Sequence, residues 1–158
     1  MTIEKLEGVV KVDGLPIVVA NFNWSVGFFM EKFIKSLGDK KLLAGKCPVC
    51  GYVTTPPRTR CPKCGSKIKD ENIIQVGGTA RVLSYTTAHV KLDGKGNFVD
   101  LKEPIVITAV KLDEADSTLF LPLVDSKGGA LEPGAKVQIV WNEATKGAIS
   151  DIKGVKLV

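Results

Sequence analysis

The stretch "CPVCGYVTTPPRTRCPKCGS", residues 47–66, contains all four cysteines of this 158-residue chain. They form two Cys-x-x-Cys-Gly pairs, Cys47 with Cys50 and Cys61 with Cys64, separated by ten residues. A tight backbone turn in each pair directs two sulfurs toward one point, and the glycine after each pair allows that turn. Four thiolates in a tetrahedral arrangement are the ligand set of structural zinc sites. The spacing therefore predicts a zinc ribbon held together by these four cysteines.

A zinc ion with four protein ligands leaves no coordination position for water or substrate, so its role is structural. Metal binding also supplies folding energy that a short polar segment cannot gain by burial. Three alternatives remain open at this point: a single iron ion, as in rubredoxin, two disulfides, and a redox-active dithiol. Iron fits the same geometry, whereas disulfides are rare in reducing compartments. We therefore expect a structural metal, with zinc as the first candidate.

The positive charge of the chain is concentrated around the cysteines. The net charge is +5, yet residues 40–69 contain no Asp or Glu and eight basic side chains: Lys40, Lys41, Lys46, Arg58, Arg60, Lys63, Lys67 and Lys69. Such a surface attracts the phosphates of a nucleic acid or of a small cofactor. The alternative is that the lysines only solvate a module that is poor in apolar residues.

A helical pattern precedes the cysteines. Apolar residues recur at helical spacing over residues 26–37: Val26, Phe29, Met30, Phe33, Ile34 and Leu37. This stripe predicts an amphipathic helix, with Asn23 or Ser25 capping its start and Gly38 ending it. We expect residues 1–22 to form an irregular or weakly extended lead-in.

Five of the ten aromatic residues lie between Phe22 and Phe33. One interpretation is that the helix packs on the C-terminal part of the chain. The other is that part of this surface binds a partner subunit. The candidate interface consists of Phe22, Trp24 and Phe28, together with Pro56 and Pro57. These two prolines belong to residues 40–69, which we call the cysteine segment.

After Asp70-Glu71 the apolar period changes to two, which is typical of strands. We predict five strands: residues 80–92, 105–112, 118–124, 136–141 and 149–157. This pattern favours a five-stranded Greek-key barrel of the OB type, with an SH3-like barrel or an open sandwich as alternatives. The chain is thus predicted to be mainly β, with an N-terminal segment and helix (1–39), a rubredoxin-like zinc ribbon (40–71) and an OB-fold domain (72–158).

The sequence offers little for catalysis by this chain alone. It contains no Gly-rich phosphate-binding motif, its single histidine is His89, and no cysteine remains to act as a nucleophile. Two functions stay open: a binder of single-stranded nucleic acid, or an accessory subunit that binds a protein and an anionic cofactor. Few aromatics of the predicted barrel could stack on bases, which argues against nucleic acid: Tyr85, Phe98, Phe120 and Trp141.

Neither a signal peptide nor a membrane span is recognisable. The apolar run at residues 15–20 is far too short to cross a bilayer, and mixed charges precede it. We therefore expect a cytoplasmic protein.

Together the motifs resemble a zinc-ribbon/OB-fold family associated with acyl-CoA enzymes, long catalogued as a domain of unknown function. The family pattern is Cys-x-x-Cys-Gly, Pro-Pro-Arg, Cys-Pro-x-Cys-Gly-Ser and then Gly-x-Val-x-Ser-Tyr-Thr. This chain matches it within residues 47–66 and again at Ser84, Tyr85 and Thr86. It departs from the pattern at Ala80, where the family often has another glycine before the valine. The resemblance covers roughly residues 23–158.

The resemblance implies a non-catalytic subunit of a thiolase-type acyltransferase complex, in which the catalytic residues belong to the partner. It implies a thiolase as partner and, in archaea, a 3-hydroxy-3-methylglutaryl-CoA synthase as a further component. We hypothesise that Arg58, Arg60 and Lys63 bind the phosphates of a CoA ester shared with the partner, because Arg binds phosphate oxygens bidentately. Pro56 and Pro57 would hold this loop stiff. The alternative for Arg58 is an ion pair with an acidic residue of the barrel.

Overall fold

A computed structural model describes residues 2–6, 9–13, 25–93, 96–125 and 131–158. Within these residues the chain forms one α-helix and ten strands: β1 (Thr2–Leu6), β2 (Val9–Asp13), α1 (Phe28–Gly38), β3 (Leu42–Lys46), β4 (Val53–Thr54), β5 (Ile73–Val76), β6 (Thr79–Leu92), β7 (Phe98–Leu112), β8 (Thr118–Asp125), β9 (Lys136–Trp141) and β10 (Ile152–Leu157). The predicted mainly-β fold with a single helix before the cysteines is confirmed.

β1 and β2 form an antiparallel pair in which Thr2 lies opposite Asp13. Of the expected irregular or weakly extended lead-in, the irregular alternative is wrong for these two segments, which are extended and form regular strands. Both segments are rich in β-branched residues, whose side chains fit a pleated backbone.

The helix α1 buries one stripe of side chains, Phe29, Phe33 and Leu37. It begins after Gly27, which has a φ of 81°, and no side chain caps its first turn. The predicted cap at Ser25 is therefore wrong, because the backbone becomes helical only after Gly27. The alternative cap, Asn23, lies outside the described residues.

The helix ends at Gly38, as predicted, but this glycine does not provide the left-handed turn. That conformation belongs to Lys40, with a φ of 57°. Gly38 instead permits a close approach, since a β-carbon at this position would lie 3.1 Å from the Gly147 nitrogen. The Thr145 hydroxyl also donates a hydrogen bond to the Gly38 carbonyl at 2.6 Å. The loop before β10 thus holds the C-terminal end of α1.

β3 lies at the centre of a small antiparallel sheet, between β4 and β5. Leu42 lies opposite Val76, and Gly45 lies opposite Thr54. The buried side chains of β3 join the main apolar core together with those of α1. This sheet therefore connects the helix and the cysteine segment to the rest of the molecule.

The remaining five strands close into a ring in the order β10–β8–β7–β6–β9. Four of the five pairings are antiparallel, and β10 runs parallel to β8. All five predicted strands are present, and the closed arrangement excludes the open sandwich. Two boundaries differ from the prediction: β7 begins at Phe98 rather than at residue 105, and β10 begins at Ile152 after a short 3₁₀ turn.

Gly154 lies where β10 meets β8. Its φ is 152°, and a β-carbon at this position would lie only 2.2 Å from the Pro122 carbonyl oxygen. Since any other residue would place a carbon inside the contact distance of that oxygen, only glycine fits here. The pairing of β10 with β8, which closes the ring, therefore requires glycine at position 154.

One apolar core joins α1, the small sheet and the ring. Its most buried side chains come from all three parts: Leu37, Leu42, Val82, Val110, Leu112, Val137 and Val155. A second, much smaller cluster in the cysteine segment consists of Cys47, Cys61 and Ile68. Among the described residues, no helix combines the length and the apolar character that crossing a membrane requires.

Two strands extend beyond the ring. β8 pairs with β7 only from Ile107 to Lys111, and β9 pairs with β6 only from Thr79 to Arg81. Past these points β6 and β7 continue to pair with each other, ending with Leu92 opposite Phe98. We call residues 87–92 and 98–106 the arm. The cysteine segment lies at the opposite end of these strands, next to the turn that follows Leu112.

Candidate metal centre and adjoining surfaces

The two cysteine pairs form equivalent backbone turns. The Gly51 N–H donates to the Cys47 carbonyl at 3.0 Å, and the Gly65 N–H donates to the Cys61 carbonyl at 2.9 Å. Both glycines have a positive φ, 73° and 71°. A β-carbon on either would meet nothing within 4 Å. The backbone angle, rather than a lack of space, therefore explains why each pair is followed by glycine.

The four cysteine sulfurs lie within 4.8 Å of one another. The Sγ atoms of Cys47 and Cys64 are 3.5 Å apart, and those of Cys50 and Cys61 are 3.6 Å apart. With zinc–sulfur bonds of about 2.3 Å, the edge of a tetrahedron would be ~3.8 Å. Donor number, donor chemistry and spacing therefore fit one four-coordinate zinc ion. All four cysteines are free thiols in this structure, so the two-disulfide alternative is not formed.

Hydrogen bonds favour the thiolate form at two of the four sulfurs. The Ser66 hydroxyl lies 3.1 Å from Cys64 Sγ, and this contact together with the Ser66 backbone N–H lowers the pKa of the Cys64 thiol to about 6. The backbone N–H of Cys50 lies 3.5 Å from Cys47 Sγ and lowers the pKa of that thiol. Since metals bind the thiolate, these contacts favour the metal-binding form of Cys47 and Cys64.

Little apolar packing supports this centre. Cys47, Cys61 and Ile68 are buried, and among the described apolar side chains Tyr52 and Ile73 pack against them. Cys50 and Cys64 lie at the surface. Because so small a cluster contributes little hydrophobic stabilisation, the order of this segment depends on the metal.

Two residues fasten the cysteine segment to the ring. The Asp116 carboxylate accepts a hydrogen bond from the Val53 N–H at 2.9 Å, and the Asp116 N–H donates to the Val53 carbonyl at 2.8 Å. The Ser117 hydroxyl accepts from the Thr55 N–H at 2.8 Å and donates to the Thr55 carbonyl at 2.9 Å. The turn before β8 therefore satisfies the backbone groups of Val53 and Thr55 much as a neighbouring strand would.

A groove of about 320 Å³ lies between the start of α1 and the Pro-Pro-Arg loop. Phe28 lies on the helix side of this groove, and Pro57 and Arg58 lie on the loop side. The structure thus brings together three residues that the sequence proposed separately as interface and CoA-binding candidates. Pro56 is half-buried beside them and follows a cis peptide bond. The other two interface candidates, Phe22 and Trp24, lie outside the described residues.

All eight basic side chains of the cysteine segment are exposed. Among the described residues, no carboxylate lies within 4 Å of the Arg58 guanidinium, so an ion pair with the ring is not formed. Arg60 has a structural contact, because its Nη1 donates to the Gly65 carbonyl at 3.0 Å. Lys63 lies on the exposed surface between Cys61 and Cys64.

A buried carboxylate that the sequence analysis did not single out organises the loop before β10. Asp151 is 3% exposed. Its carboxylate accepts from the backbone N–H groups of Lys146, Gly147 and Ala148 at 2.8–3.1 Å. These bonds, that of Ala148 foremost, hold the pKa of Asp151 below its usual value. The same loop contacts Gly38, so Asp151 helps to hold the helix in place.

Two family models match the chain in succession. Residues 35–70 match the ChsH2 rubredoxin-like zinc ribbon domain, and residues 74–142 match the ChsH2 C-terminal OB-fold domain. Two curated relatives are DUF35 domain-containing scaffold proteins. That of Methanothermobacter thermautotrophicus is 32% identical over 102 residues, which is 65% of this chain and 72% of the relative. That of Methanocaldococcus jannaschii is 31% identical over 100 residues, which is 63% of this chain and 67% of the relative.

Two solved structures have a similar fold. A DUF35-family protein of unknown function from Sulfolobus solfataricus has a TM-score of 0.59 and 25% identity, over 83% of this chain and 84% of that chain. An Ltp2-ChsH2(DUF35) aldolase has a TM-score of 0.56 and 24% identity, over 85% of this chain and 97% of that chain. At 24% identity the second likeness is one of fold alone. The combination of a zinc ribbon with an OB-fold domain therefore recurs in these proteins.

Proposed function

This chain belongs to the family of DUF35 domain-containing scaffold proteins, and from that premise we propose that it is a non-catalytic, zinc-stabilised subunit of a thiolase-type acyl-CoA enzyme complex. The observation that carries the proposal is the convergence of all four thiols of the chain on one point. A zinc ion bound there has four protein ligands, so it offers no open position for substrate. No cysteine is then left to form a thioester, and the acyl chemistry belongs to a partner.

The comparison with the Ltp2-ChsH2(DUF35) aldolase supports an assembly of two different polypeptides. In that protein a DUF35 component is named together with a second component, Ltp2, in one enzyme. The resemblance described for the sequence motifs implies a thiolase as the second component. A 3-hydroxy-3-methylglutaryl-CoA synthase as a further component remains part of the same proposal.

The groove beside Arg58 is the candidate place where this chain meets the CoA ester of the partner. An apolar wall formed by Phe28 and Pro57 lies next to a guanidinium that no described carboxylate neutralises. Arg58 and Lys63 would bind phosphate oxygens there, whereas Arg60 is already engaged with the Gly65 carbonyl. The exposed lysines around the cysteines would add attraction for the anionic cofactor.

The subunit assignment is tested by co-expressing the chain with the thiolase-family subunit of the same organism. We expect a single complex in size-exclusion chromatography with light scattering, with one zinc per copy of this chain by elemental analysis. Separate elution of the two proteins at micromolar concentration would contradict the assignment. Iron in place of zinc would change the metal but not the structural role.

The role of Arg58 is tested in the assembled complex. Arg58→Ala should raise the KM for the CoA ester while the zinc content and the amount of complex stay the same. Arg81→Ala is the matched control, because Arg81 is an exposed arginine of the ring that lies 3.8 Å from Asp113. Kinetics that are equal for the two variants would remove Arg58 from the CoA site.

The alternative of single-stranded nucleic-acid binding is tested with a fluorescent oligonucleotide at low and high salt. A nucleic-acid binder loses affinity steeply as salt rises, because bound counterions are released. We expect no binding even at low salt. Tight, salt-dependent binding by the free chain would favour the alternative instead.

A further inference from the structure

Two close sulfur contacts join the first cysteine pair to the second. Cys47 Sγ lies 3.5 Å from Cys64 Sγ, and Cys50 Sγ lies 3.6 Å from Cys61 Sγ. Each contact combines a buried and a surface residue, because Cys47 and Cys61 are buried whereas Cys50 and Cys64 lie at the surface. Each surface cysteine therefore has a buried cysteine of the other pair beside it.

This arrangement is the one that reversible oxidation by a peroxide requires. A cysteine reacts when it is a thiolate that solvent can reach, and the reaction is reversible when a second, resolving thiol lies beside it. Cysteines that bind a metal are thiolates. Reactive cysteines also lie in electropositive surroundings, and the cysteine segment has eight exposed basic side chains and no Asp or Glu. The metal centre therefore combines access, thiolate ligands and resolving partners.

We propose that these four cysteines form a peroxide-sensitive redox switch as well as a metal site. In the reduced chain the four thiolates bind zinc, whereas oxidation joins Cys47 to Cys64 and Cys50 to Cys61 as disulfides. The disulfide form has no thiolate left to bind zinc, so oxidation releases the metal. The structural metal and the redox-active dithiol, which the sequence left as alternatives, are then two states of one centre.

Each disulfide consumes one molecule of hydrogen peroxide. The thiolate of the surface cysteine attacks one peroxide oxygen, so that an S–O bond forms, the O–O bond breaks and hydroxide leaves. The thiolate of the buried partner then attacks the sulfur of this sulfenic acid. An S–S bond forms, the S–O bond breaks, and a second hydroxide leaves. The two sulfurs lose two electrons in total, and the peroxide gains both of them.

The loop that carries Arg58 lies between the two cysteine pairs, so the redox state reaches the groove. The Ile68 N–H donates to the Thr59 carbonyl at 2.9 Å, and Ile68 belongs to the small buried cluster of the cysteine segment. A β-carbon at Gly45 would lie 3.4 Å from Ile68 and 3.5 Å from Pro57, so both side chains pack against that glycine. Loss of the metal therefore loosens the loop. The resulting loss of CoA-ester binding rests on the proposed function, whereas the oxidation itself does not.

The test adds hydrogen peroxide to the full zinc-loaded chain and follows zinc release with a chromogenic chelator. About one zinc ion per chain should be released as two equivalents of peroxide are consumed. Dithiothreitol with added zinc should restore the metal content. Met30→Leu is the control, because the thioether of Met30 lines the groove and can also react with peroxide. This variant should release zinc at the wild-type rate.

Tryptic digestion after alkylation of free thiols identifies the disulfides. Trypsin cleaves after Lys63, between the cysteines of the second pair, but it leaves Cys47 and Cys50 together in the peptide of residues 47–58. The proposed disulfides link that peptide to residues 61–63 and 64–67 in one species. Disulfides within each pair would leave it separate from the other two. Fragmentation of the linked species shows whether Cys47 is joined to Cys64.

Zinc that stays bound in excess peroxide would overturn the proposal. Disulfides within each pair, or sulfinic and sulfonic acids in place of disulfides, would overturn it as well. In the oxidised chain the amides of Val110 and Leu112, whose side chains are fully buried, should stay protected from hydrogen exchange. Exchange there would show that zinc is lost by global unfolding, against the proposal.

The effect on the groove is measured after the oxidised chain has been freed of peroxide and mixed with the thiolase-family subunit. The KM for the CoA ester should rise relative to the reduced chain and fall again after reduction with zinc present. If zinc release and disulfides are as expected but the KM is unchanged, the redox switch stands and Arg58 is removed from the CoA site. If neither form binds the subunit, the proposed function fails and the switch stands.

Discussion

The cysteine segment and the five-stranded ring reach order in opposite ways. The ring contributes to an apolar core whose buried side chains come from α1, from the small sheet and from four of the five ring strands. The apolar cluster around the cysteines has only three buried members, Cys47, Cys61 and Ile68. In small modules a structural zinc contributes ~10–16 kcal/mol, whereas one buried aliphatic side chain contributes about 1.5–3 kcal/mol. One part of the chain therefore depends on its metal, and the other depends on burial.

The two parts also differ in how they would fail. Loss of the metal removes the main stabilising interaction of the cysteine segment at once. Loss of one side chain weakens the ring by a fraction of its packing. The hydrogen bonds that Asp116 makes with Val53 and Ser117 makes with Thr55 join the two parts, so they determine whether unfolding of one part extends to the other.

Removal of the metal should have the largest effect, and it should be local. With zinc chelated, or with Cys61→Ser, the backbone amides of residues 47–68 should exchange freely with deuterium. Amides of the ring core, such as those of Val110 and Leu112, should stay protected, because their side chains are fully buried without any help from the metal. Hydrogen exchange with mass spectrometry makes this measurement. Simultaneous loss of protection in the ring would show that the two parts are not independent.

Replacement of Gly154 should have the largest effect on the ring. Gly154→Ala would force a β-carbon toward the Pro122 carbonyl, where only 2.2 Å separates them, and we expect roughly 3 kcal/mol or more of lost stability. Gly134→Ala is the matched control, since Gly134 also has a positive φ, 91°, but has open space around it. That variant should lose only about 1–2 kcal/mol. Denaturant unfolding that gives equal losses would argue against the role of Gly154 in closure.

Removal of the Ser117 hydroxyl should loosen the joint between the two parts. Ser117→Ala leaves the N–H and carbonyl of Thr55 without their partner, and Thr55 is 3% exposed. The expected cost is about 1–3 kcal/mol. Calorimetry should then resolve the unfolding of the cysteine segment from that of the ring. Ser84→Ala, which changes an exposed serine of β6, should leave a single transition.

Asp151→Asn should destabilise the fold at neutral pH, and its difference in stability from the wild type should shrink under acidic conditions. Backbone N–H groups hold the pKa of this carboxyl below its usual value, so the native state binds its proton less readily than the unfolded chain does. The carboxylate therefore stabilises the fold above about pH 4 and loses this contribution as the pH falls below that value. The melting temperature of the variant should fall less steeply than that of the wild type between neutral pH and acidic pH.

Features of the fold that follow from a local sequence pattern could be predicted from the sequence. The spacing of the four cysteines predicted a common metal centre, and the period-two alternation predicted five strands. The start of β7 was missed because Lys102-Glu103-Pro104 interrupts the alternation, although the strand begins at Phe98. The cap of α1 was wrong because a glycine, and not a polar side chain, precedes the first turn.

Contacts between distant residues were not predictable in this way. Asp116 lies 63 positions from Val53, and Thr145 lies 107 positions from Gly38. Nothing in the neighbouring residues marks these partners, because their role depends on how the small sheet and the ring pack together. For Asp151 the only local signal is Gly147 nearby, which is too common to identify a carboxylate surrounded by backbone N–H groups.

The closure of the ring by β10 also sets an order of events during protein synthesis. All four sulfur ligands leave the ribosome long before residues 152–157, which pair with β8 and β9. The nascent chain can therefore acquire its metal while the ring is still open and its interior strands are uncovered. Metal binding by the cysteines can then precede folding of the ring, and the ring closes only when β10 has been synthesised.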